Sequence, residues 1–379
     1  SMSKAAELAN LIGNINAGGG GVNRNVLING AMNVSQRAVS STGIGASSGY
    51  FTCDRWKYYS SNTAGRVTLS QDSSAPEGFA NSFKVDVTTA DTSIASNEQV
   101  MIQQRIEGQN LQQFKKGTSS ANPWALSFYV KGNASATYAV ELMDADNSDR
   151  HVNKLFNVTT DWTRVEITFP ADTTGTMDDD NAVSIDLQII LHSGTDFTSG
   201  TLQETWGALS QTNRAVGISS IFDSTDRTFF ITGVQLEVGQ NPTEFEHIPF
   251  EKELLSCKRY YTNNCDRGHY PVHDIAFGNT NSPFIMHCFL TDNCRENYRY
   301  DVEMRADPSA TFYTVTGLGN GSTENRWDFW TGSAWNQCDG ATASSEITSK
   351  GFVMNQAEAD FTFGDSYMMG GCFELDAEL

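Results

Sequence analysis

Trp124-Ala-Leu-Ser-Phe-Tyr-Val130 and, shortly after it, Tyr138-Ala-Val-Glu-Leu142 decide the fold class. In each, large apolar residues alternate with small or polar ones: Leu126, Phe128 and Val130 share one face, and so do Tyr138, Val140 and Leu142. A period of two belongs to an extended strand with one buried side. The pattern recurs in both directions along the chain. It runs through Val67 and Leu69, then Val100, Ile102 and Ile106, then Val165, Ile167 and Phe169, then Ile185, Leu187, Ile189 and Leu191, and finally Phe230, Val234 and Leu236. Gly, Ser, Thr, Asn and Asp separate these runs, and no helical period between them lasts beyond a couple of turns. Such a series predicts an all-β fold, a two-sheet antiparallel jelly-roll β-sandwich over residues 25–248. The stretch 193–226 interrupts it, and a connection that long is expected to carry small elements of its own or to form a binding loop.

Upstream, Ala5, Leu8, Ile12 and Ile15 are spaced as in the seam of a coiled coil, until a glycine run at 18–21 ends it. A helix this short is marginal unless packed, so residues 1–24 read as a helical stub of an oligomeric stalk with a Gly-rich linker, or as a frayed end. Ser1-Met2 reads as a cloning remnant. Downstream, residues 249–261 turn helical, with Pro249 suited to a first turn and Leu254, Leu255 and Cys257 on an apolar side. A domain boundary is placed there. Strands are then predicted at 284–289, 300–305, 311–315, 327–330, 351–355 and 367–375, a second, smaller β-sandwich over 249–379.

The chain has 379 residues, room for two or three domains, and a formal net charge of −20. That charge repels phosphate backbones and anionic headgroups, so neither nucleic acid nor membrane is an expected partner; neutral glycans stay open, and acidity can also serve solubility alone. Seven cysteines, Cys53, Cys257, Cys265, Cys288, Cys294, Cys338 and Cys372, show no CxxC and no zinc spacing, and read as free thiols. With no long apolar run and no signal-peptide pattern, folding in a reducing cytoplasm is expected.

Short motifs run in order along the chain: Asn25-Val-Leu-Ile-Asn-Gly30 with Gln36-Arg37, Asp54-Arg55-Trp56, Gln104-Arg105-Ile106-Glu107-Gly108, Gly233-Val-Gln-Leu-Glu-Val-Gly239, Thr243-Glu-Phe-Glu246 and Cys257-Lys-Arg-Tyr-Tyr261. In this order the chain resembles tail-fibre or receptor-binding virion structural proteins of tailed phages that carry a jelly-roll carbohydrate-binding module. Val302-Glu-Met-Arg-Ala-Asp-Pro308 and Leu375-Asp-Ala-Glu-Leu379 resemble the distal domain of the same proteins. The resemblance implies a homotrimeric virion appendage, displayed outside the host cell, that meets other virion proteins and binds a glycan on a host or environmental surface. It also implies a weak place for structural Ca²⁺ at Asn29 and Glu237.

Sugar recognition needs flat aromatic faces for the apolar side of a pyranose and planar polar groups for its hydroxyls. Arg66, Arg105, Glu141, Asp186, Gln188 and His192 alternate away from the core set and are the polar candidates. Among the aromatics, Trp56 and Tyr58 have a core reading beside the functional one and Trp124 is a further candidate, while Tyr129 alternates away from Leu126, Phe128 and Val130. A two-residue Gly332-Ser333 turn would set Trp330 directly across from Trp335, as an exposed sugar platform or a covered core pair. Asp144, Asp146 and Asp149, and Asp178 to Asn181, concentrate oxygens as Ca²⁺ prefers or form solvated acidic turns; neither has EF-hand spacing. No Walker sequence, HExxH or dinucleotide fingerprint appears, and the expectation is a non-enzymatic binding protein. A polysaccharide depolymerase, which needs only two carboxylates, and a purely structural capsid-decoration or tail-assembly protein are the alternatives.

Overall fold

A computed structural model describes residues 3–16, 23–281, 283–316 and 325–379. They divide into two compact units: one made of the chain up to Ser35, Val39–Glu253 and Leu379, the other of Gln36–Ala38 and Leu254–Glu378. A helix, α1 (Lys4–Asn16), covers the stretch read as a stub; the glycine run at 18–21 lies outside the described residues.

The first unit holds strands β1 (Ser40–Ile44), β2 (Gly49–Tyr50), β3 (Lys57–Ser61), β4 (Arg66–Asp72), β5 (Ser82–Thr89) and β6 (Gln99–Glu107). It continues with β7 (Trp124–Gly132), β8 (Ala136–Asp144), β9 (Arg150–Val158), β10 (Thr163–Phe169), β11 (Val183–Ser193), a one-turn helix α2 (Thr195–Thr198) and β12 (Thr228–Val238). They form two antiparallel six-stranded sheets, ordered β1-β4-β5-β12-β7-β10 and β2-β3-β6-β11-β8-β9. This is the jelly-roll sandwich the alternation predicts. Val67, Leu69, Leu126, Phe128 and Val130 from the first sheet meet Val100, Ile102, Tyr138, Val140, Leu142, Ile185, Leu187 and Ile189 from the second in one core.

Trp56 and Tyr58 are fully buried in that core, which settles their reading. Trp124 joins them, stacked on Phe114 with ring centroids 3.6 Å apart, and is no sugar platform. In β12 the predicted face of Phe230, Val234 and Leu236 is half wrong. The core takes Phe229 and Ile231, then Val234 and Leu236, while Phe230 turns outward. The ladder with β7 shifts between Thr232 and Gln235, a bulge in which Gly233 sits at φ 63°. One extra residue in a strand swaps every following side chain to the other face. Glycine is required there: a Cβ would meet the Phe79 ring at 2.7 Å and the Tyr129 ring at 3.0 Å.

Along the chain, helix α3 (Phe250–Lys258) leads to β13 (Tyr261–Asn263), β14 (Ile275–Ala276), β15 (Phe284–Leu290), β16 (Asn293–Arg299), β17 (Ser309–Tyr313) and β18 (Val315–Thr316). After them come β19 (Asp328–Trp330), β20 (Trp335–Gln337), β21 (Ala343–Thr348), β22 (Gly351–Ala357), β23 (Ser366–Gly370) and β24 (Cys372–Asp376). A seven-stranded sheet runs β20-β19-β23-β15-β16-β22-β21, beside a three-stranded β13-β24-β17 and a two-stranded β14-β18.

Three expectations change in the second unit. The strand read at 300–305 is absent; β16 ends at Arg299 and pairs with β15 through a tight turn at Thr291 and Asp292. That turn carries no glycine, but Asp292 adopts φ 64°, which Asp tolerates better than most side chains, so the usual turn signal is missing. The run 367–375 is two strands in different sheets, divided at Gly371, where a Cβ would lie 2.0 Å from the buried Trp327 indole. Finally, Cys288 and Cys294, facing neighbours on β15 and β16, are joined as a disulfide rather than free. Arg37 belongs to this unit as well: its guanidinium lies 3.6 Å from the centre of the Tyr261 ring and pairs with Asp376 at 2.9 Å and Glu378 at 3.4 Å.

Candidate functional site

The outward face of the second sheet of the first unit is where the polar alternation leads. Register aligns Lys57, Gln103, Gln188 and Glu141 in one row across β3, β6, β11 and β8. A second row holds Arg105, Asp186 and Met143, and a third Tyr59, Met101, Ile190 and Ala139. The segment between β11 and β12 folds back over this face. Its Ala215 and Ile218 pack on Met101, Ala139 and Ile190, and Gly207 bridges to His151 on β9.

That segment delivers Arg214. Its guanidinium donates to both carboxylate oxygens of the fully buried Glu141 (Nε at 3.2 and 3.0 Å, Nη2 at 2.7 Å) and to Gln188 Oε1 at 2.7 Å. His151 completes the cluster. The Ser210 N–H donates to its Nε2 at 3.2 Å, so Nδ1 carries the proton and donates to Glu141 at 2.7 Å. Burial alone would raise the Glu141 carboxyl, but Arg214 and the His151 hydrogen bond outweigh it and hold the group below the usual carboxylate range.

Beside this clamp lies a cleft of about 380 Å³, with Tyr59, Gln99, Gln103, Arg105, Asp186, Gln188 and Arg214 among its lining. Asp186 Oδ2 accepts from Gln103 at 2.9 Å and Gln188 at 3.1 Å. Its other oxygen, Oδ1, is buried without a partner, and so is the Nε2 of Gln99. Burial pushes the Asp186 carboxyl up to about 7, against the pull of Arg105 and of the Gln188 hydrogen bond. Because the folded-state value is raised, the stability linked to Asp186 is fully present below the ordinary value of 3.8 and is lost as pH rises through about 7. Asp186→Asn is therefore expected to gain on the wild type by up to about 4 kcal/mol between about pH 4 and pH 8. Urea titrations of both proteins across that range check it, and parallel curves would refute it.

No family model and no curated protein matches the sequence. Solved structures are similar over about half of it. One is a CBM4 module, at 11% identity and TM-score 0.28, covering 55% of this chain and 97% of that one. Another is the family 11 carbohydrate-binding module from Clostridium thermocellum in complex with a β-1,3-1,4-mixed-linked tetrasaccharide, at 13% identity and TM-score 0.28, covering 55% of this chain and 99% of that one. The enzymatically active domain of tailspike protein 4 of bacteriophage CBA120 matches at 11% identity and TM-score 0.29, covering 56% of this chain and 21% of that one.

Of the residues singled out from sequence, Arg105, Asp186 and Gln188 meet in the cleft, and Glu141 lies beneath it, fastening Arg214. His192 does not. The β6–β11 ladder shifts between Ile190 and His192, and the ring ends up between Ser220 Oγ at 2.8 Å and Glu98 Oε2 at 2.9 Å. Tyr129 lies on the first sheet, away from this face, half-buried 5.3 Å from Phe79 in a group with Phe245 and His247. Arg66, also on the first sheet, donates to the carbonyls of Thr63 and Gly65. In the second unit Trp330 pairs with Trp335 across the Gly332-Ser333 turn, as the spacing predicts, with ring centroids 5.7 Å apart and both indoles half-buried. That unit also has a cleft of about 500 Å³ lined by Asp339, Glu358, Asp360 and Arg326, with no exposed aromatic ring.

Sequence reasoning missed Tyr59, Gln99, Gln103 and Arg214. The first three had a legible signal, since they alternate with the core residues Tyr58, Val100 and Ile102. Arg214 had none. The pattern Gly45-Ala-Ser47-Ser-Gly49 spells Gly-x-Ser-x-Gly, but it lies between β1 and β2 with no helix behind it, so it is no nucleophile elbow. At the positions considered for Ca²⁺, the Asn29 amide donates to the carbonyls of Val34 and Asp54 and accepts from the Val34 N–H. Glu237 accepts from Thr243 and Gln235. Among the described residues no group of three or more His, Cys, Asp or Glu is placed to hold a metal ion. No helix among them is long and apolar enough to cross a membrane.

Proposed function

We propose that the cleft of the first unit binds a glycan without cleaving it, and that the chain serves as an attachment component of a tailed-phage virion appendage. One observation carries the binding reading. A buried carboxyl oxygen, Asp186 Oδ1, and a buried donor, Gln99 Nε2, stand unpartnered in a cleft that Tyr59 flanks with a half-buried ring. Buried polar atoms left unpaired are costly, and ligand hydroxyls, which donate and accept, would satisfy both while a pyranose face packs on the tyrosine.

The virion role rests on the resemblance of the ordered motifs to those of tail-fibre proteins, and the proposed homotrimer rests on the same resemblance. Three weak sites on one stalk raise the effective concentration, so millimolar single-site affinities suffice for attachment. No cofactor is proposed for the cleft itself; structural Ca²⁺ at Asn29 and Glu237 remains the metal reading implied by the tail-fibre resemblance.

A glycan array, followed by titration calorimetry and a reducing-end assay on every hit, with and without Ca²⁺, tests the proposal. Binding without product is the expected result, with Tyr59→Ala weakening it about tenfold. Release of reducing ends would favour the depolymerase reading, and no binding under any condition the structural one. Light scattering on the purified chain tests the trimer.

A further inference from the structure

At the Arg105 end the cleft has a cation whose charge is only partly answered among the described residues. The Arg105 side chain is about a third exposed, and among the described residues its guanidinium makes no hydrogen bond. Among the described residues the one carboxylate within ion-pair distance is Asp186, with Nε to Oδ2 at 3.6 Å, and that carboxyl is already bonded to Gln103 and Gln188; Asp149 also lines the cleft but makes no ion pair with Arg105. Lys57 adds a second positive charge on the same face. It pairs with Gln103, two residues before Arg105, a diagonal separation of about 7–8 Å. Burial of Asp186 weakens the compensation further, because a carboxyl pushed up to about 7 is only partly ionised at neutral pH. Glu107, the next residue along this face, is fully buried and takes the side-chain amide of Gln109. By contrast, the other cleft guanidinium, Arg214, is saturated by Glu141, Gln188, Gln99 and Gln211.

A planar guanidinium with free N–H groups in a walled cleft is built for bidentate capture of a carboxylate or a sulfate. We propose that the glycan bound here carries an anionic substituent, a carboxylate or a sulfate ester, which docks on Arg105; this rests on the cleft being a glycan site. The net charge of −20 opposes an anionic ligand at long range only. Exposed charges are screened beyond about 8 Å at physiological ionic strength, so the ligand's anion responds to the cations beside it.

The test is calorimetric titration of the full chain with three sets of oligosaccharides of equal length: neutral, uronate-containing and sulfated. One anionic set is expected to bind about tenfold or more tighter than the neutral set, and whichever it is identifies the substituent. In Arg105→Gln the ratio of anionic to neutral affinity should fall to about one, while Arg105→Lys, a point charge without the fork, should keep part of it. Neutral oligosaccharides binding as tightly as anionic ones, or a preference that survives Arg105→Gln, would overturn the inference and leave the glycan site standing. Binding of none of the three would overturn both.

Discussion

The variant Lys116→Met is expected to lose about 3–5 kcal/mol of stability in the first unit, lowering its melting temperature by about 10–15 °C. Lys116 is fully buried, and its ammonium sits in a cage of oxygens: Asp144 Oδ2, Asp172 Oδ2 at 3.2 Å and the carbonyls of Thr174 at 3.0 Å and Gly175 at 2.9 Å. Asp172 keeps a second partner in Arg150, at 3.2 and 3.1 Å. Asp144, wholly buried, would keep only the Asp146 N–H and the Asn147 amide. Removing one member of a buried ion pair leaves the other charge out of water and unpaired, which costs far more than the pair contributes. Arg150→Met, at a partly exposed site, is the control and should cost clearly less. Denaturant midpoints decide it; a loss under about 1 kcal/mol for Lys116→Met would show that the cage does not matter.

Arg214→Met is the second large effect, and it strikes stability and binding together. The guanidinium is the main counter-charge of the buried Glu141 and the bolt that holds the segment after β11 against the sheet. Loss of about 3–5 kcal/mol at neutral pH is expected, with glycan binding abolished and faster proteolysis within residues 199–211. The pH dependence has a definite sign. In the wild type the Glu141 value is depressed, so its contribution is present above the ordinary glutamate value of 4.5 and is lost as pH falls. Without Arg214 burial dominates and the carboxyl prefers its proton. The deficit of the variant should therefore shrink as the solution is acidified. A deficit that is constant from neutral to acidic pH would mean that lost packing, not the stranded charge, is responsible.

The acidic stretch around Asp144 illustrates how far sequence can go. Its oxygens read as a Ca²⁺ ligand set or a solvated turn, whereas Asp144 is buried and faces a lysine amine supplied from another loop. Asp178 to Asn181 likewise makes internal contacts, with the Asp178 N–H donating to Asp146 Oδ2. The Trp330–Trp335 pairing was legible because a two-residue turn dictates register over its first pairs. His192 and Phe230 were misplaced for one shared reason: a ladder irregularity shifts the period, and strand alternation carries no mark of it beyond, in one case, a glycine.

The sequence by itself determined that the first unit of this protein is a two-sheet β-sandwich, and for most of its strands which side faces the core. Burial of alternating apolar side chains is a local property, set within each strand. Only the tertiary structure decided that Arg105, Asp186 and Gln188 share a cleft with Tyr59 and Gln99 while Tyr129 and His192 lie elsewhere. It alone closed Arg214 over Glu141. Those outcomes depend on strand order, on two bulges and on a long connection folding back, which bring together residues distant in the chain, and no period along a single strand encodes such meetings.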